Sequence, residues 1–302
     1  MGAALVVTAS NQLVLLGGVS LYAWTQADAY RSSDGGGTWV SVGQRMSWTA
    51  RVFHAAASRP TGELILAGGL DVNARDCLAD VHRSLDGGST WSLVTTSGPA
   101  PWPARCAHSL AVMGNAVVLV GGACSSSGQY WEMDEFFGDV WATVDGGLTW
   151  TARTLDAEWG PRAHLAVAVL PSGSLLVLGG LSPGGPRNDV WSSEDGGRSF
   201  HLVVAAAKWT AREGHCALTL GGQLLVIGGS DGLTLNSEVW ASQDDGATFA
   251  LARAARTAEA SIALALDSEV LLVGTCSGKG AAALVSWSRN RPIVFPQAFR
   301  CG

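Results

Sequence analysis

One eight-residue motif recurs five times in this chain, and its repetition limits the possible folds more than any other feature. It consists of Ser or Thr, Asp two residues later, Gly two residues after that, a second Ser or Thr and a final aromatic residue. The copies occupy residues 32–39, 84–91, 143–150, 193–200 and 242–249. The motif aspartates, spaced 49 to 59 residues apart, are Asp34, Asp86, Asp145, Asp195 and Asp244. A period of this length is typical of repeat folds whose units bury their hydrophobic faces only against one another.

A longer unit surrounds each copy of the motif. The unit reads Trp-x-x-Arg, then His, two apolar stretches of which the second ends in Gly-Gly, a variable loop, Asp-Val-aromatic and the motif itself. Apolar stretches such as Leu175–Leu178 are short and continuous, which predicts strands covered on both faces. The Gly-Gly doublet allows positive φ angles and a close approach of neighbouring backbones. Four strands in a unit of this length are the pattern of one β-propeller blade.

Six such units use all 302 residues. We therefore predict an all-β fold, a six-bladed β-propeller of four-stranded antiparallel blades in one domain. The predicted blades span approximately residues 1–47, 48–101, 102–158, 159–208, 209–252 and 253–302. The terminal units are atypical, because the first lacks the Trp, Arg and His and the sixth lacks the Asp motif. The Ala-rich stretch Leu251–Ala265 also permits a short helix by propensity.

Composition excludes several classes of function. The formal net charge of -6 argues against nucleic acid as a partner, since phosphate binding needs clustered Lys and Arg. No apolar run approaches the ~18 residues that span a bilayer, so we expect no membrane partner. The first residues lack the basic region of a secretory signal, and a cytoplasmic location is slightly favoured.

The six cysteines form neither a CxxC pair nor a metal-binding spacing. We therefore predict no metal site and no cofactor. Cys106 and Cys216 lie beside the repeat histidines and are interpreted as buried thiols. Cys77 and Cys124 fall in loops of adjacent units, and they are expected to pair if the protein is exported.

The repeat resembles two families of β-propeller. The Gly-Gly doublet, the Arg before the first strand and the spaced aromatic residue look like kelch repeats, a class that includes galactose-oxidase-like propellers. The Ser-x-Asp-x-Gly-x-Thr-Trp motif resembles the Asp box of sialidase-type (BNR) propellers. The resemblance covers nearly the whole chain and is strongest over residues 12–250. In sialidase-like propellers the boxes lie on the outer rim, so we interpret the five Asp boxes as hairpin staples rather than cation or sugar sites.

The arginines that open the units are the main candidate ligand-binding residues. They are Arg51, Arg105, Arg162 and Arg212. The similarity to kelch propellers places them near the central axis, on the face that carries the loops between second and third strands. A ring of guanidinium groups suits carboxylate, sulfate or phosphate. The alternative is that each arginine stacks on a Trp and donates to carbonyls at a blade junction.

The repeat histidines are expected to be core residues. The fourth unit departs from the others, because Arg162-Ala163-His164 is one residue shorter. One of that pair must therefore point elsewhere.

The variable loops hold the remaining candidates. The longest, Ala123–Gly138, carries aromatic and acidic residues, of which Tyr130 and Trp131 are predicted ligand contacts. Glu213, beside Arg212, is the acid that we would test first. A sialidase set of Tyr, Glu and three asymmetric arginines is not found, and no copper-binding Tyr/His/Cys set can be placed. The motif Gly228–Gly232 matches Gly-x-Ser-x-Gly but has no helix behind it.

Three functions remain open from the sequence, the third being a propeller released from a larger protein that acts only as a spacer. The first is a non-catalytic propeller that binds a protein segment or a small anionic ligand at one mouth of the central channel. The second is a carbohydrate-active propeller, a glycosidase or sugar-acid isomerase, in which the arginines hold a carboxylate and a Glu or Asp moves protons.

Overall fold

The structure is a computed structural model. It describes residues 2–19, 25–43, 46–71, 73–95, 100–125, 133–254, 259–266, 269–275 and 282–288.

Five sheets of four antiparallel strands follow one another along the chain. The first contains β1 (Ala4–Val7), β2 (Leu13–Val19), β3 (Thr25–Ser32) and β4 (Val40–Gly43). The second unit contains β5 (Ala55–Ser58), β6 (Leu64–Ala67), the hairpin strands β7 (Leu70–Asp71) and β8 (Asp76–Cys77), then β9 (Val81–Ser84) and β10 (Ser92–Leu93). The third unit contains β11 (Ser109–Met113), β12 (Ala116–Val120), the hairpin strands β13 (Ala123–Cys124) and β14 (Glu135–Phe136), then β15 (Val140–Thr143) and β16 (Thr151–Thr154).

The fourth and fifth units are the most regular. The fourth contains β17 (Ala166–Val169), β18 (Leu175–Ser182), β19 (Gly185–Ser193) and β20 (His201–Val204). The fifth contains β21 (Cys216–Leu220), β22 (Gln223–Ile227), β23 (Glu238–Ser242) and β24 (Ala250–Ala254). A last sheet has three strands, β25 (Glu259–Leu266), β26 (Glu269–Thr275) and β27 (Ala282–Ser288).

The β-propeller is confirmed, but the predicted number of four-stranded blades is wrong. Among the described residues, five sheets have four strands and the sixth has three, so the prediction of six complete blades is corrected to five. In each complete blade an Asp box turns the third strand into the fourth. The sixth unit lacks an Asp box, the motif that forms this turn in the complete blades. The described part of Leu251–Ala265 is strand rather than helix.

The innermost strands close the ring. Strands β1, β5, β11, β17, β21 and β25 contact one another in that order, and β25 also contacts β1. The second strands are covered on both sides by neighbouring blades, so every residue of Leu64–Ala67 in β6 is buried. The box aromatic packs into the four junctions between complete blades, as Trp150 does between the second and third blades. Burial of continuous apolar strands between blades is therefore the main stabilising element of the fold.

Strand direction sorts the functional elements onto two faces. Because successive strands run in opposite directions, the first and third turns of a blade lie on one side of the ring, and the second turn lies on the other. The box face comprises the Asp boxes at 32–39, 84–91, 143–150, 193–200 and 242–249. The loop face comprises the described residues of segments 51–54, 105–108, 162–165 and 212–215 and of loops 70–80, 123–139, 181–189 and 230–238.

Candidate functional site

On the box face, each aspartate is used within its own turn. In the third blade, Thr143 Oγ1 donates to Asp145 Oδ1 at 2.8 Å and Thr149 Oγ1 donates to Asp145 Oδ2 at 2.6 Å. The backbone N–H of Thr149 also donates to Oδ1, and Trp150 Nε1 donates to the carbonyl of Gly147. In the first box, hydrogen bonds led by the backbone N–H of Thr38 lower the pKa of Asp34 to about 2. The carboxylates hold the hairpins and leave little capacity for a ligand.

On the loop face, the four unit-opening arginines are buried in ion pairs. Arg51, Arg105 and Arg212 are 0% exposed and Arg162 is 3% exposed. Arg105 donates from Nη1 and Nη2 to the two carboxylate oxygens of Asp139 at 2.5 and 2.8 Å. The corresponding acids, all in the Asp-Val-aromatic position, are Asp80 for Arg51, Asp189 for Arg162 and Glu238 for Arg212.

Backbone carbonyls take up further N–H groups of these arginines. Arg51 donates from Nε to Thr49 and from Nη1 to Gly68, in addition to its two bonds with Asp80. Four of its five guanidinium N–H groups are therefore engaged. We call each arginine with its acid and its glycine carbonyl an arginine staple. The guanidinium carbons of Arg105, Arg162 and Arg212 lie 5.7 to 5.9 Å from the rings of the preceding tryptophans.

The aromatic residue of Asp-Val-aromatic holds the acid in place. Trp141 Nε1 donates to Asp139 at 2.7 Å, and Trp191 Nε1 donates to Asp189 at 2.9 Å. In the second blade His82 Nε2 lies 2.9 Å from Asp80. Burial alone would raise the pKa of Asp80, but the hydrogen bonds from Arg51 and His82 hold it far below its usual range. The sequence carried a signal for this pairing, because the acid recurs once per unit just as the arginine does.

The arginine staple of the fifth blade has fewer hydrogen bonds between arginine and acid than the other three. Arg212 makes one hydrogen bond of 2.9 Å to Glu238 Oε2, where the aspartates accept two from their arginines. The Glu238 side chain is 35% exposed, against 9% for Asp139. The longer side chain places the carboxylate further out, where water reaches it.

The repeat histidines are buried beside the arginine staples. His54, His108 and His215 are 5 to 6% exposed, and their rings lie against Trp48, Trp102 and Trp209. Burial, followed by the charge of the neighbouring arginine, lowers the pKa of each to about 3. They are therefore neutral at physiological pH.

The fourth unit uses its shortened segment differently. Leu165 is buried in the position of the other histidines, and His164 adopts φ 49° like Phe53 (φ 54°) and Ala107 (φ 53°) in the preceding units. His164 is thus the residue that points elsewhere. These residues form a relay around the ring, in which the N–H of Ala107 donates to Phe53 and the N–H of His164 donates to Ala107.

The relay narrows one side of the channel mouth. The Phe53 and His164 rings meet edge to face at 5.2 Å, although they belong to the second and fourth blades. They meet because the third blade contributes only the methyl group of Ala107 at this level. The fifth blade continues the relay with Gly214, whose N–H donates to the carbonyl of His164 and which has no side chain.

The doublet glycines bring adjacent blades into contact on this face. The N–H of Gly69 donates to the carbonyl of Arg105 in the next blade at 2.9 Å. A Cβ on Gly68 would lie 2.7 Å from that same carbonyl oxygen and 2.8 Å from the His108 ring. The doublet is therefore required by the closeness of the next blade as well as by its positive φ angles.

A disulfide and a groove define the middle of the loop face. Cys77 in β8 and Cys124 in β13 are joined in a disulfide that links the loops of the second and third blades, the pairing that their positions suggested. A groove of about 410 Å³ lies between the β13–β14 hairpin and the β18–β19 hairpin. It is lined by Met133, Asp134, Phe136, Leu181, Ser182, Pro183 and Gly185. Tyr130 and Trp131, the predicted loop contacts, lie outside the described residues.

Glu213 lies on the loop face beside the arginine staple of the fifth blade. Its side chain is half-buried, and its backbone pairs with Ser230 through two hydrogen bonds. Burial raises the pKa of Glu213 above its usual value. The Ser230 hydroxyl donates to the carbonyl of Thr234, so the Gly-x-Ser-x-Gly match is part of a local turn.

Two further observations bear on the type of site. Among the described side chains, no three His, Cys, Asp or Glu residues come together in a way that could hold a metal ion. In the described part of the chain there is no helix with the length and apolar character needed to cross a membrane.

Comparison with known proteins agrees with this geometry. The family model described as the KLHDC2/KLHL20/DRC7 Kelch-repeats domain matches residues 2–229. The fold is also similar to the solved structure of YjhT, with a TM-score of 0.75 and 14% sequence identity over 98% of this chain and 97% of that one. At this identity the likeness concerns the fold alone. No curated protein sequence matches the chain.

The family model covers the units that carry the first four Gly-Gly doublets and reaches the fifth, Gly228-Gly229. The resemblance of the Asp boxes to sialidase-type propellers stays a prediction. The chain belongs to the kelch-repeat family.

Proposed function

We propose that the chain is a non-catalytic protein-binding module that holds a partner segment on its loop face. Kelch-repeat domains generally mediate protein–protein interactions. The alternatives were a small anionic ligand and a carbohydrate-active site, and both depended on free arginines. The engagement of the guanidinium groups in the arginine staples favours the protein partner, since an anion would have to displace an internal carboxylate.

The observation that carries this proposal is a hydrogen-bonded loop in the fifth blade that presents leucines to solvent. Leu233 is 94% exposed and Leu235 is 60% exposed. Asp231 fixes the loop, because its carboxylate accepts hydrogen bonds from the N–H groups of Leu233 and Thr234 at 2.9 and 2.6 Å and from the Thr234 hydroxyl at 2.9 Å. The N–H of Asn236 donates to Gly229 and closes the base of the loop.

An exposed apolar side chain on a hydrogen-bonded loop is suited to serve as an anchor for a partner. Its hydrophobic area is not yet buried, and the hydrogen bonds of Asp231 already order the backbone, so that binding has to order mainly the side chain. The groove beside the β18–β19 hairpin offers a second apolar contact region on the same face. Together they provide the combination of an anchor and a concave surface that protein interfaces use.

The test is quantitative affinity capture from the native cells, followed by binding of the purified partner to three forms of the protein. The variants are wild type, the double variant Leu233→Asp/Leu235→Asp and the control Leu148→Asp. Leu148 is 55% exposed but lies in an Asp box on the box face. We expect the double variant to weaken binding at least about tenfold and the control to bind like wild type. Equal binding by all three forms would show that the exposed leucines do not contact the partner, and it would remove the observation that carries the proposal.

A further inference from the structure

We infer that the partner segment is basic and places a lysine or arginine side chain against Glu213. This inference rests on the proposed function and specifies the chemistry of its partner. Three observations support it: one departure in the repeat, the absence of a partner for the Glu213 carboxylate among the described residues, and the charge of the loop face.

Glu213 occupies a position that is apolar in the other units. The residue after each unit-opening arginine pairs with the residue after the Gly-Gly doublet: Val52 with Leu70, Cys106 with Ala123, Ala163 with Leu181 and Glu213 with Ser230. Val52, Cys106 and Ala163 are 3%, 2% and 0% exposed. The fold therefore accepts a small apolar side chain here, and the carboxylate of the fifth unit is not a requirement of the blade.

The Glu213 carboxylate has no compensating group within the part of the chain that the structure describes. It makes no hydrogen bond or ion pair there, although Arg212 is its neighbour in sequence. Arg212 is committed to Glu238 and to the carbonyls of Thr210 and Gly228. The hydroxyl of Ser230, opposite Glu213, is committed to Thr234. The charged form of a half-buried carboxylate without a partner is less stable than it is in water. An incoming ammonium or guanidinium group would compensate this charge.

The loops around Glu213 are acidic. Outside the arginine staples, the described side chains of the loop face carry six carboxylates and two guanidinium groups: Asp71, Asp76, Asp134, Glu135, Glu213 and Asp231 against Arg75 and Arg187. This excess of negative charge attracts a basic segment and repels an acidic one.

Apolar surface flanks the carboxylate on both sides. The β18–β19 hairpin contacts the Glu213 segment, since Arg187 pairs with Arg212, and the other side of the same hairpin lines the groove with Leu181 and Pro183. The loop with Leu233 and Leu235 lies beyond Ser230. A segment crossing this face therefore meets apolar contacts next to one carboxylate, which suits a basic residue flanked by apolar residues.

The test uses random 12-residue peptides displayed on phage and selected against the intact wild-type protein, Glu213→Gln and Glu194→Gln. Glu194 is an exposed glutamate on the box face, so its variant makes the same chemical change away from the site. We expect wild type and Glu194→Gln to select peptides with Lys or Arg beside apolar residues. The best such peptide should bind Glu213→Gln at least about tenfold more weakly.

A change in the peptide provides a second measurement that needs no protein variant. Replacing the selected Lys by norleucine keeps the apolar stem and removes the charge, and wild-type binding should fall by the same factor. Peptides that bind wild type without any basic residue, or that bind Glu213→Gln equally well, would overturn the inference and leave the proposed function intact. If selection yields no binder, or only binders that Leu233→Asp/Leu235→Asp retains, the proposed function fails as well.

Discussion

The arginine staples and the loops beside them lie on the same face of the ring and use charge in opposite ways. Arg105 and Asp139 are both buried, and each satisfies the other within one blade. Glu213 is only half-buried, and no described side chain compensates it. The difference teaches that a charged pair repeated from blade to blade stabilises the fold, whereas a charge that replaces an apolar repeat residue is a candidate for function.

Removing the acid of an arginine staple should have the largest effect on stability. Asp139→Ala leaves the Arg105 charge buried without a partner, and we expect it to lower the free energy of unfolding by about 3–5 kcal/mol. Glu238→Ala should cost about 1–3 kcal/mol, because water already reaches that carboxylate. Urea denaturation of both variants measures the difference. Equal losses of unfolding free energy in the two variants would mean that the contribution of an arginine staple does not depend on how deeply its acid is buried.

Replacing both members of one arginine staple tests whether the loss of stability comes from the unpaired charge. Arg105→Met combined with Asp139→Leu removes both charges and keeps the apolar volume, so much of the lost stability should return. If the staple were a ligand site instead, the paired variant would lose binding of a partner peptide. A stable variant that retains peptide binding supports a purely structural role for Arg105.

Removing the Cys77–Cys124 disulfide tests how far the loop face depends on its own crosslink. In the double variant Cys77→Ser/Cys124→Ser, loss of a closed loop of this length should lower the free energy of unfolding by roughly 2–4 kcal/mol. Hydrogen exchange should increase in β7–β8 and β13–β14 and change little in β6 and β12. A uniform increase across all four elements would mean that the loop face and the inner strands unfold as one unit.

The buried histidines predict acid sensitivity of the repeated interior. Their pKa values of about 3 lie below the usual value near 6.5, so the unfolded chain binds more protons between these pH values. Their stabilising contribution is complete above pH 6.5 and is lost as the pH falls towards 3, at about 1.4 kcal/mol per pH unit for each histidine.

Leu165 shows which substitution the histidine position accepts, since it fills that position in the fourth unit. His215→Leu should therefore fold and should reduce the slope of unfolding free energy against pH between 6.5 and 4 by the contribution of one histidine. The measurement is a urea titration at several pH values. An unchanged slope would contradict the assignment of that acid sensitivity to His215.

Glu213→Gln should have the smallest effect on stability and the opposite sign. Removing an uncompensated, half-buried carboxylate is expected to leave the melting temperature unchanged or to raise it slightly at pH 7. Because its folded-state pKa is raised, the penalty appears as the pH rises from about 4.5 through that pKa. A calorimetric scan at pH 7 and at pH 4 checks this. A marked decrease in melting temperature at pH 7 would indicate a structural role for Glu213.

Much of the fold could be predicted because each unit repeats the same local chemistry. The apolar stretch Leu175–Leu178 predicts a strand covered on both faces, and β18 is such a strand. The number of complete blades was not predicted correctly, since the sixth unit lacks the Asp box and the count was based on length. The shortened segment at Arg162 indicated that one residue would point elsewhere, and the structure identifies it as His164.

The candidate site was less predictable. The sequence singled out the four arginines, but it did not reveal that their charges are matched by acids 26 to 34 residues later. The spacing varies because a variable loop lies between each arginine and its acid. The pairing could have been predicted only by noticing that the arginine and the acid of Asp-Val-aromatic occur together in the same four units.

The sequence by itself determined the propeller class, because the Gly-Gly doublets and the Asp boxes are local features that recur in unit after unit at a regular period. Tertiary structure decided which charges cancel and which stay available, because that depends on distances between residues that lie far apart along the chain. Arg105 and Asp139 meet only when β12 and β15 pair, and Phe53 and His164 meet only when three blades are assembled. Glu213 is identified as unpaired among the described residues only because the structure shows its neighbour Arg212 bound to Glu238 instead.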